Sequence, residues 1–531
     1  MRGLKFARTG LMIVLTFLLA FTSTVYADVM PWPSAGQNNS NTRFQPAENK
    51  LSSANVGSLG VKWQFATHGD VSATPAMDDT NLYFPDWAGY LYAVNRATGA
   101  LVWSTNIGDY TGIPGNYSRT TPAIAGNSLV FGDQAGKLGV PANVMAVNKK
   151  TGALIWKTQV DSHPFSIVTQ SAVVNGSDVY VGVASMEELL SAMIPNYTCC
   201  TFRGSILDLN VNTGQIVWKT YTVPAGYSGG AVWGSTPAVD TGRNSLYIST
   251  GNNYSIPADV QACLTANPTN PQACLAANNY FDAILSLNLT TGAVKWAMEA
   301  LPLDAWNTNC LAQGAIPIPG FDPDPALCPS QSSPDWDFGQ GPALFTVKPA
   351  SGKAYDLVGA GQKSGQYWAV NADTGALAWV TQVGPGGLTG GSQWGSAVDG
   401  KRVYVAISNA FNLPWNLVQN GAASGVVTNG GLWSALDPAT GKILWQTANP
   451  SGSGNWGAVS AANGVIYSCS GDGIYYALNG ATGGILWNYN TGSACFSGVS
   501  IAGGMVFGGT GYSQAPAPYQ AGNRLFAFGL P

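Results

Sequence analysis

The chain has 531 residues, a formal net charge of −4 and only 9% charged side chains, with 66 glycines and 18 tryptophans. That composition belongs to turn-rich, tightly packed β structure and excludes a helical or disordered chain. Two histidines leave almost no room for a His-built metal site or a Ser-His-Asp triad, and with no basic cluster nucleic acid is excluded as a partner.

Arg2, Lys5 and Arg8 precede an apolar run at 11–21 and then Val25, Tyr26 and Ala27. This is the pattern of a secretory signal cut after Ala27, leaving residues 28–531 as a single domain. The apolar core is too short to span a bilayer comfortably, so no transmembrane segment is expected after cleavage and the location is periplasmic or secreted. Residues 28–60 read as an irregular lead-in, and the run 61–65 begins the regular structure.

From there one unit recurs, first at 93–103 and then at 146–156, 208–218, 286–296, 369–379, 435–445 and 477–487. In each, a short apolar strand reaches Asn or Asp, turns at Thr-Gly, and leaves through apolar residues to a Trp. The Asn or Asp bonds its own backbone in the turn, and the Gly takes the positive φ that closes it. The Trp, five residues after the Thr, can dock flat between neighbouring units. An eighth copy is split between the ends, with Leu525, Phe526, Ala527 and Phe528 as its inner half and Val61, Trp63 and Phe65 in its outer half. Trp-to-Trp spacings run from 42 to 83 residues, the shortest matching one four-stranded blade. The expectation is all-β: an eight-bladed β-propeller whose N- and C-terminal strands pair and so leave no exposed sheet edge.

The longest loops fall at 184–203, 252–282, 299–345 and 408–432, and the first three hold six of the eight cysteines. Cys199 and Cys200 are adjacent, Cys263 and Cys274 bracket one loop, Cys310 and Cys328 bracket another, and Cys469 and Cys495 remain. In an exported chain these read as disulfides. No Cys-x-x-Cys-His occurs, so the chain carries no covalent c-type haem.

Over essentially the whole mature length the Trp units and the motifs below resemble the pyrroloquinoline quinone (PQQ)-dependent alcohol dehydrogenases, and among them the branch that oxidises polyvinyl alcohol. The resemblance implies a calcium ion on the propeller axis, held by a Glu, an Asn, the catalytic Asp and the quinone. Glu187 fits the first, with Glu188 as close competitor, and Asn252 in Thr250-Gly251-Asn252 fits the second. Two places compete for the catalytic base, Asp304-Ala305-Trp306-Asn307 and Asp335-Trp336-Asp337. An amide cannot take a proton from an alcohol, so Asp337 is the expected base and 300–333 an insertion pinned by Cys310 and Cys328. Gly339 stands where lanthanide-using relatives carry a further Asp, which points to calcium.

Lys363 matches the residue that stabilises the anion developing on the reduced quinone. Trp233 matches the floor under the quinone plane, and Arg119 the partner of a quinone carboxylate. Thr169, Asn409 and Trp456 match further cofactor contacts. Three departures stand out. No Cys pair precedes Arg119, so Cys199 and Cys200 are expected to cap the cofactor from the loop after Glu187. A family Glu is replaced in the run Ser72-Ala73-Thr74-Pro75. Ala184 and Ala231 stand where relatives have hydroxyls.

The implied function is oxidation of alcohol groups to carbonyls with PQQ and calcium, those of polyvinyl alcohol first, with electrons passed to a separate cytochrome c. A dehydrogenase for small alcohols and a non-catalytic propeller that binds protein in the cell envelope are the alternatives.

Overall fold

The computed structural model describes residues 1, 31–134, 139–313, 322–329, 333–349, 352–513 and 519–531, so the expected leader lies outside the described residues apart from Met1. Eight sheets, each built on four antiparallel strands and two of them carrying a fifth, form the blades of a propeller. Blade 1 is representative: Ala76–Met77, Asn81–Pro85, Tyr90–Asn95 and Leu101–Asn106 pair in sequence order from the axis outward. The second and third strands are nearly all buried and rich in aromatic residues, whereas no residue of the fourth is fully buried. Blades 2 to 7 follow at 123–159, 173–221, 238–299, 343–382, 397–448 and 460–490.

Blade 8 takes three strands from the C-terminal region and its outermost strand, Gly60–Ala66, from the N-terminal region. Val61 pairs with Phe528 and Phe65 with Leu525 in antiparallel register. The two ends of the chain are thus joined within one sheet.

The repeated Trp explains how blades dock. Trp63 donates its indole N–H to the carbonyl of Arg96 in blade 1 at 3.2 Å, and Trp103 donates to Lys149 in blade 2 at 2.9 Å. The pattern continues through Trp156, Trp218, Trp296, Trp379 and Trp445, and Trp487 closes it on Leu59 at 2.8 Å. Every ring except that of Trp487 also covers the Thr-Gly turn of the next blade. At Gly441, φ is +70° and an added Cβ would come within 2.4 Å of the Trp379 ring, so glycine is required there both by conformation and by the tryptophan lying on it.

The lead-in forms a hub. Residues 31–45 cross one end of the axis and bond to the innermost strand, or the turn beside it, of every blade in turn. Trp32 exchanges backbone hydrogen bonds with Met77, and Pro33 accepts from Ile124. The Asn39 side chain reaches Asn175, while the carbonyls of Asn39, Ser40, Thr42 and Arg43 accept from Val239, Leu344, Val398 and Ala461. Gln45 completes the circuit by donating to the Ile501 carbonyl.

The four disulfides are Cys199–Cys200, Cys263–Cys274, Cys310–Cys328 and Cys469–Cys495. The second pins an excursion inside blade 4, the third pins the excursion between blades 4 and 5, and the last ties a strand of blade 7 to the segment leading into blade 8.

Candidate active site

Asp337 sits at the centre of a buried polar cluster. Its Oδ1 accepts from the Asn252 backbone N–H at 2.7 Å, and its Oδ2 accepts from Trp233 Nε1 at 3.0 Å and Lys363 Nζ at 3.1 Å. Gly251 permits this approach, because a Cβ there would lie 2.7 Å from Oδ1. Lys363 Nζ also donates to both oxygens of Asp335, at 2.8 and 2.9 Å, and stands 5.5 Å from the centre of the Trp233 ring. Burial works against the Lys363 charge, but Asp335, Asp337 and Glu188 outweigh it and hold the ammonium protonated above its ordinary range. Burial also pushes Asp335 well up, with Lys363 opposing.

The segment 335–337 is fixed from behind. Asp304 Oδ2 accepts the Trp336 N–H at 2.7 Å, and its Oδ1 accepts from the Ser333 hydroxyl at 2.6 Å. Asp304 is thus a brace beneath the Asp335-Trp336-Asp337 turn. Asn307, from the competing motif, donates to the carbonyls of Tyr254 and Leu327 and anchors its own loop. Burial raises both Asp304 and its neighbour Asp282, the latter well above the usual carboxylate range.

The two candidate glutamates have separate fates. Glu187 turns away from Asp337: its oxygens accept from the Tyr197 hydroxyl at 2.6 Å, from Thr201 N and from Phe202 N at 2.7 Å, with His163 at 3.5 Å. Those bonds occupy both of its oxygens, so the structure does not bring the expected ligand Glu187 into the Asp337 cluster. It ties down the loop carrying the Cys199–Cys200 disulfide, which immediately precedes Thr201. Glu188 faces the cluster instead. Burial, reinforced by Asp337 and opposed by Lys363 and the Asn252 side chain, pushes it up to about 8.

Glu188 Oε1 and Asn252 Oδ1 are both shut off from solvent with no hydrogen-bond partner, while Asn252 Nδ2 donates to the Trp306 carbonyl at 2.9 Å. A carboxylate oxygen and an amide oxygen left bare beside Asp337 are hard donors suited to a divalent cation such as calcium. Among the described residues no three His, Cys, Asp or Glu side chains make a metal site by themselves. A cation here needs the Asn252 amide and further oxygens from a bound group.

The remaining expected contacts divide. Thr169 donates to the Trp233 carbonyl at 3.3 Å, and the Arg119 guanidinium lies 4.8 Å over Trp394 while donating to the Tyr512 hydroxyl at 2.9 Å. Trp394 meets Trp233 edge to face at 5.6 Å, so an aromatic corner joins Arg119 to the base. Cys200 packs on the same apolar cluster as Trp233, and Trp456 stacks on Phe496 at 5.1 Å within a group that includes Tyr512. Asn409 is otherwise occupied. Its amide donates to Leu413, Asn429 and Gly430 carbonyls and its Oδ1 accepts from Leu413 N, so in this structure it shapes a loop and is not joined to the Asp337 cluster.

Sequence reasoning missed Asp335 as the second partner of Lys363, though it stands in the Asp-x-Asp run. It also missed Trp394, which lies outside the repeated unit. Beside the cluster, a cavity of about 550 Å³ opens between Trp306, Trp336, Leu388, Phe411 and Leu413 and reaches Ser364, next to Lys363. Its mouth is apolar, with Phe411 and Leu413 exposed.

The family model described as outer membrane protein assembly factor BamB matches residues 42–195 and 428–528. A polyvinylalcohol dehydrogenase of Sphingopyxis sp. (strain 113P3) is 30% identical over 91% of this chain and 72% of its own length. A second, from Pseudomonas sp., is 28% identical over 94% and 77%. In fold, the chain is similar to the quinohemoprotein alcohol dehydrogenase of Comamonas testosteroni, with a TM-score of 0.68 at 18% identity over 94% of this chain and 80% of that one.

Proposed function

The chain belongs to the quinoprotein alcohol dehydrogenases, in the family of the polyvinyl alcohol dehydrogenases, and we propose that it oxidises the secondary alcohol groups of a long-chain substrate such as polyvinyl alcohol to ketones. The observation that carries this reading is the convergence of Asp337, Lys363 and Trp233 beside the two bare oxygens of Glu188 and Asn252. When bound, PQQ supplies a carbonyl that accepts hydride and a divalent cation polarises that carbonyl.

The chain's own residues do the rest. Asp337 takes the hydroxyl proton of the substrate, its orientation set by the Asn252 N–H on one oxygen and by Trp233 and Lys363 on the other. Lys363 keeps its charge because Asp335 holds it from the opposite side, so a fixed cation is available for negative charge developing at the quinone oxygen. Asp304 keeps the base from drifting through its bond to the Trp336 N–H. Glu188 and Asn252 would hold the cation; Arg119, Thr169, Trp233 and Trp456 would hold the quinone, with Cys199 and Cys200 over it. The open apolar cavity suits a methylene chain carrying hydroxyls better than a lone small alcohol. Electrons then pass to a separate cytochrome c outside the cytoplasm, since the chain has no haem motif.

The reading of a protein-binding scaffold is disfavoured by where the assembly-factor match falls. The unmatched stretch 196–427 contains Trp233, Asn252, Asp337 and Lys363. The test is dye reduction by purified protein given PQQ and calcium, with polyvinyl alcohol and with short secondary alcohols. Turnover that requires both additions supports the reading, and no turnover with any alcohol overturns it.

A further inference from the structure

Between the second and third strands of blade 6 the chain leaves the ring at the mouth of the cavity, which Phe411 and Leu413 line. Asn409 fastens the two ends of this excursion together, through Leu413 at its start and Asn429 and Gly430 at its end. In between stands a two-stranded hairpin, Trp415–Gln419 and Ala422–Thr428, closed by Asn420 and Gly421 at φ of +51° and +81°. An Asn-Gly turn with both φ positive has the twist that two paired strands require.

The first strand is fastened to the blade. Leu417 is buried in the core, and Trp415 Nε1 and Val418 N donate to Gln446 Oε1 at 3.0 and 2.9 Å. Gln446 also donates to Val383 O, beside the cavity residue Gln382, so the root of the hairpin lies at the cavity end. The turn lies further off, where Asn420 N donates to Leu444 O at 2.9 Å. The hairpin therefore runs from the cavity mouth down the outer flank of blade 6.

The second strand is exposed along nearly all its length, and among the described residues no further strand pairs with its other edge. Val426 and Val427 are 56% and 57% exposed. From 403 to 436 the sequence has no Asp, Glu, Lys, Arg or His. Charges and prolines are what ordinarily blunt an open edge, and this strand of seven residues, roughly 24 Å long, carries neither. A protein partner draws on charge for orientation and rate, and the hairpin offers none. A neutral chain of methylene and hydroxyl groups needs none: its carbons can lie on the valines while its hydroxyls meet the edge backbone.

We propose that this hairpin extends the substrate site, so that a hydroxylated polymer whose reacting unit lies in the cavity continues over Phe411 and Leu413 and along Ala422–Thr428. The proposal rests on the polymer-substrate reading above. It gives long chains an advantage through KM, because the strip retains the neighbouring units beside the cavity and lies outside the Asp337 cluster.

The experiment measures polyvinyl alcohol binding by calorimetry without PQQ, and kcat/KM for polyvinyl alcohol and for sec-butanol with PQQ and calcium. It compares the wild type with a double variant, Val426→Asp with Val427→Asp, checked for fold by circular dichroism. The variant is expected to bind the polymer at least about tenfold more weakly and to lose about tenfold in kcat/KM for it, while kcat/KM for sec-butanol stays within about twofold. A folded variant with wild-type polymer affinity and KM overturns the proposal and leaves the dehydrogenase reading standing. So does one whose only loss is in the rate of cytochrome c reduction, or in a dimer that the wild type forms on size exclusion. A wild type that oxidises sec-butanol but neither binds nor oxidises the polymer removes the polymer reading and the strip together. If the double variant does not fold, hydrogen exchange on the wild type decides: the polymer should slow exchange across 422–428, and no slowing overturns the proposal.

Discussion

Two adjacent glutamates show how fine the resolution of the site is at the scale of the residue. Glu187 and Glu188 are indistinguishable by type and differ by one step of backbone, yet one fastens a loop and the other faces Asp337. Glu188→Gln should weaken calcium binding by about tenfold or more, read by calorimetry, because it removes a carboxylate whose bare oxygen faces the cluster of Asn252 and Asp337. Glu187→Gln should leave calcium affinity near wild type and lower the melting temperature, since Thr201 N and Phe202 N lose a charged acceptor. That Asp337, Lys363, Trp233 and Asn252 meet was legible in the sequence through the motifs that resemble the quinoprotein family. The choice at 187 and 188 was not, because it turns on where residue 186 ends a strand and begins a single helical turn. Asp335 as a partner of Lys363 depends on its φ of +58°, which no residue type announces.

Within a blade, the repeated unit was legible down to single residues. Thr-Gly marked every outer turn, and the Trp predicted to dock between units donates its N–H to the next blade throughout. One copy breaks the pattern. In seven blades the residue paired with the docking Trp is Ala or Ser, such as Ala93, Ala146 and Ser286, but blade 3 has Asp208 opposite Trp218. Burial there, with Asp178 adding, pushes its carboxyl up to about 7. A raised acid favours the neutral form in the folded state, so its stabilising contribution is full below the ordinary value near 4 and is lost as pH rises through 7. Asp208→Ser should raise the melting temperature by a few degrees at pH 8, and the gain should shrink as pH falls toward 4 in parallel thermal scans. Gly441→Ala acts in the opposite sense. Its Cβ would strike the Trp379 ring at a positive φ, and a loss of about 2 kcal/mol or more is expected in urea titration.

The whole molecule is a ring closed twice, once by the pairing of Gly60–Ala66 with Arg524–Gly529 and once by the hub that touches every blade. The first closure follows from strand patterns at the two ends. The hub does not, because residues 31–45 have no periodicity and their partners are carbonyls and amides scattered from 77 to 501. A variant ending at residue 523 strips blade 8 of the strand joining its two halves and should form soluble aggregates on size exclusion rather than a smaller monomer.

The central claim concerns the base, and it is tested most directly by an anaerobic single turnover followed through the quinone absorption spectrum. Wild-type protein loaded with PQQ and calcium should bleach the oxidised quinone band when a secondary alcohol is added. Asp337→Asn, brought to full occupancy with saturating PQQ and calcium, should bleach at least about a hundredfold more slowly. An Asp337→Asn protein that reduces its quinone at the wild-type rate contradicts the account and moves the proton transfer elsewhere in the cluster.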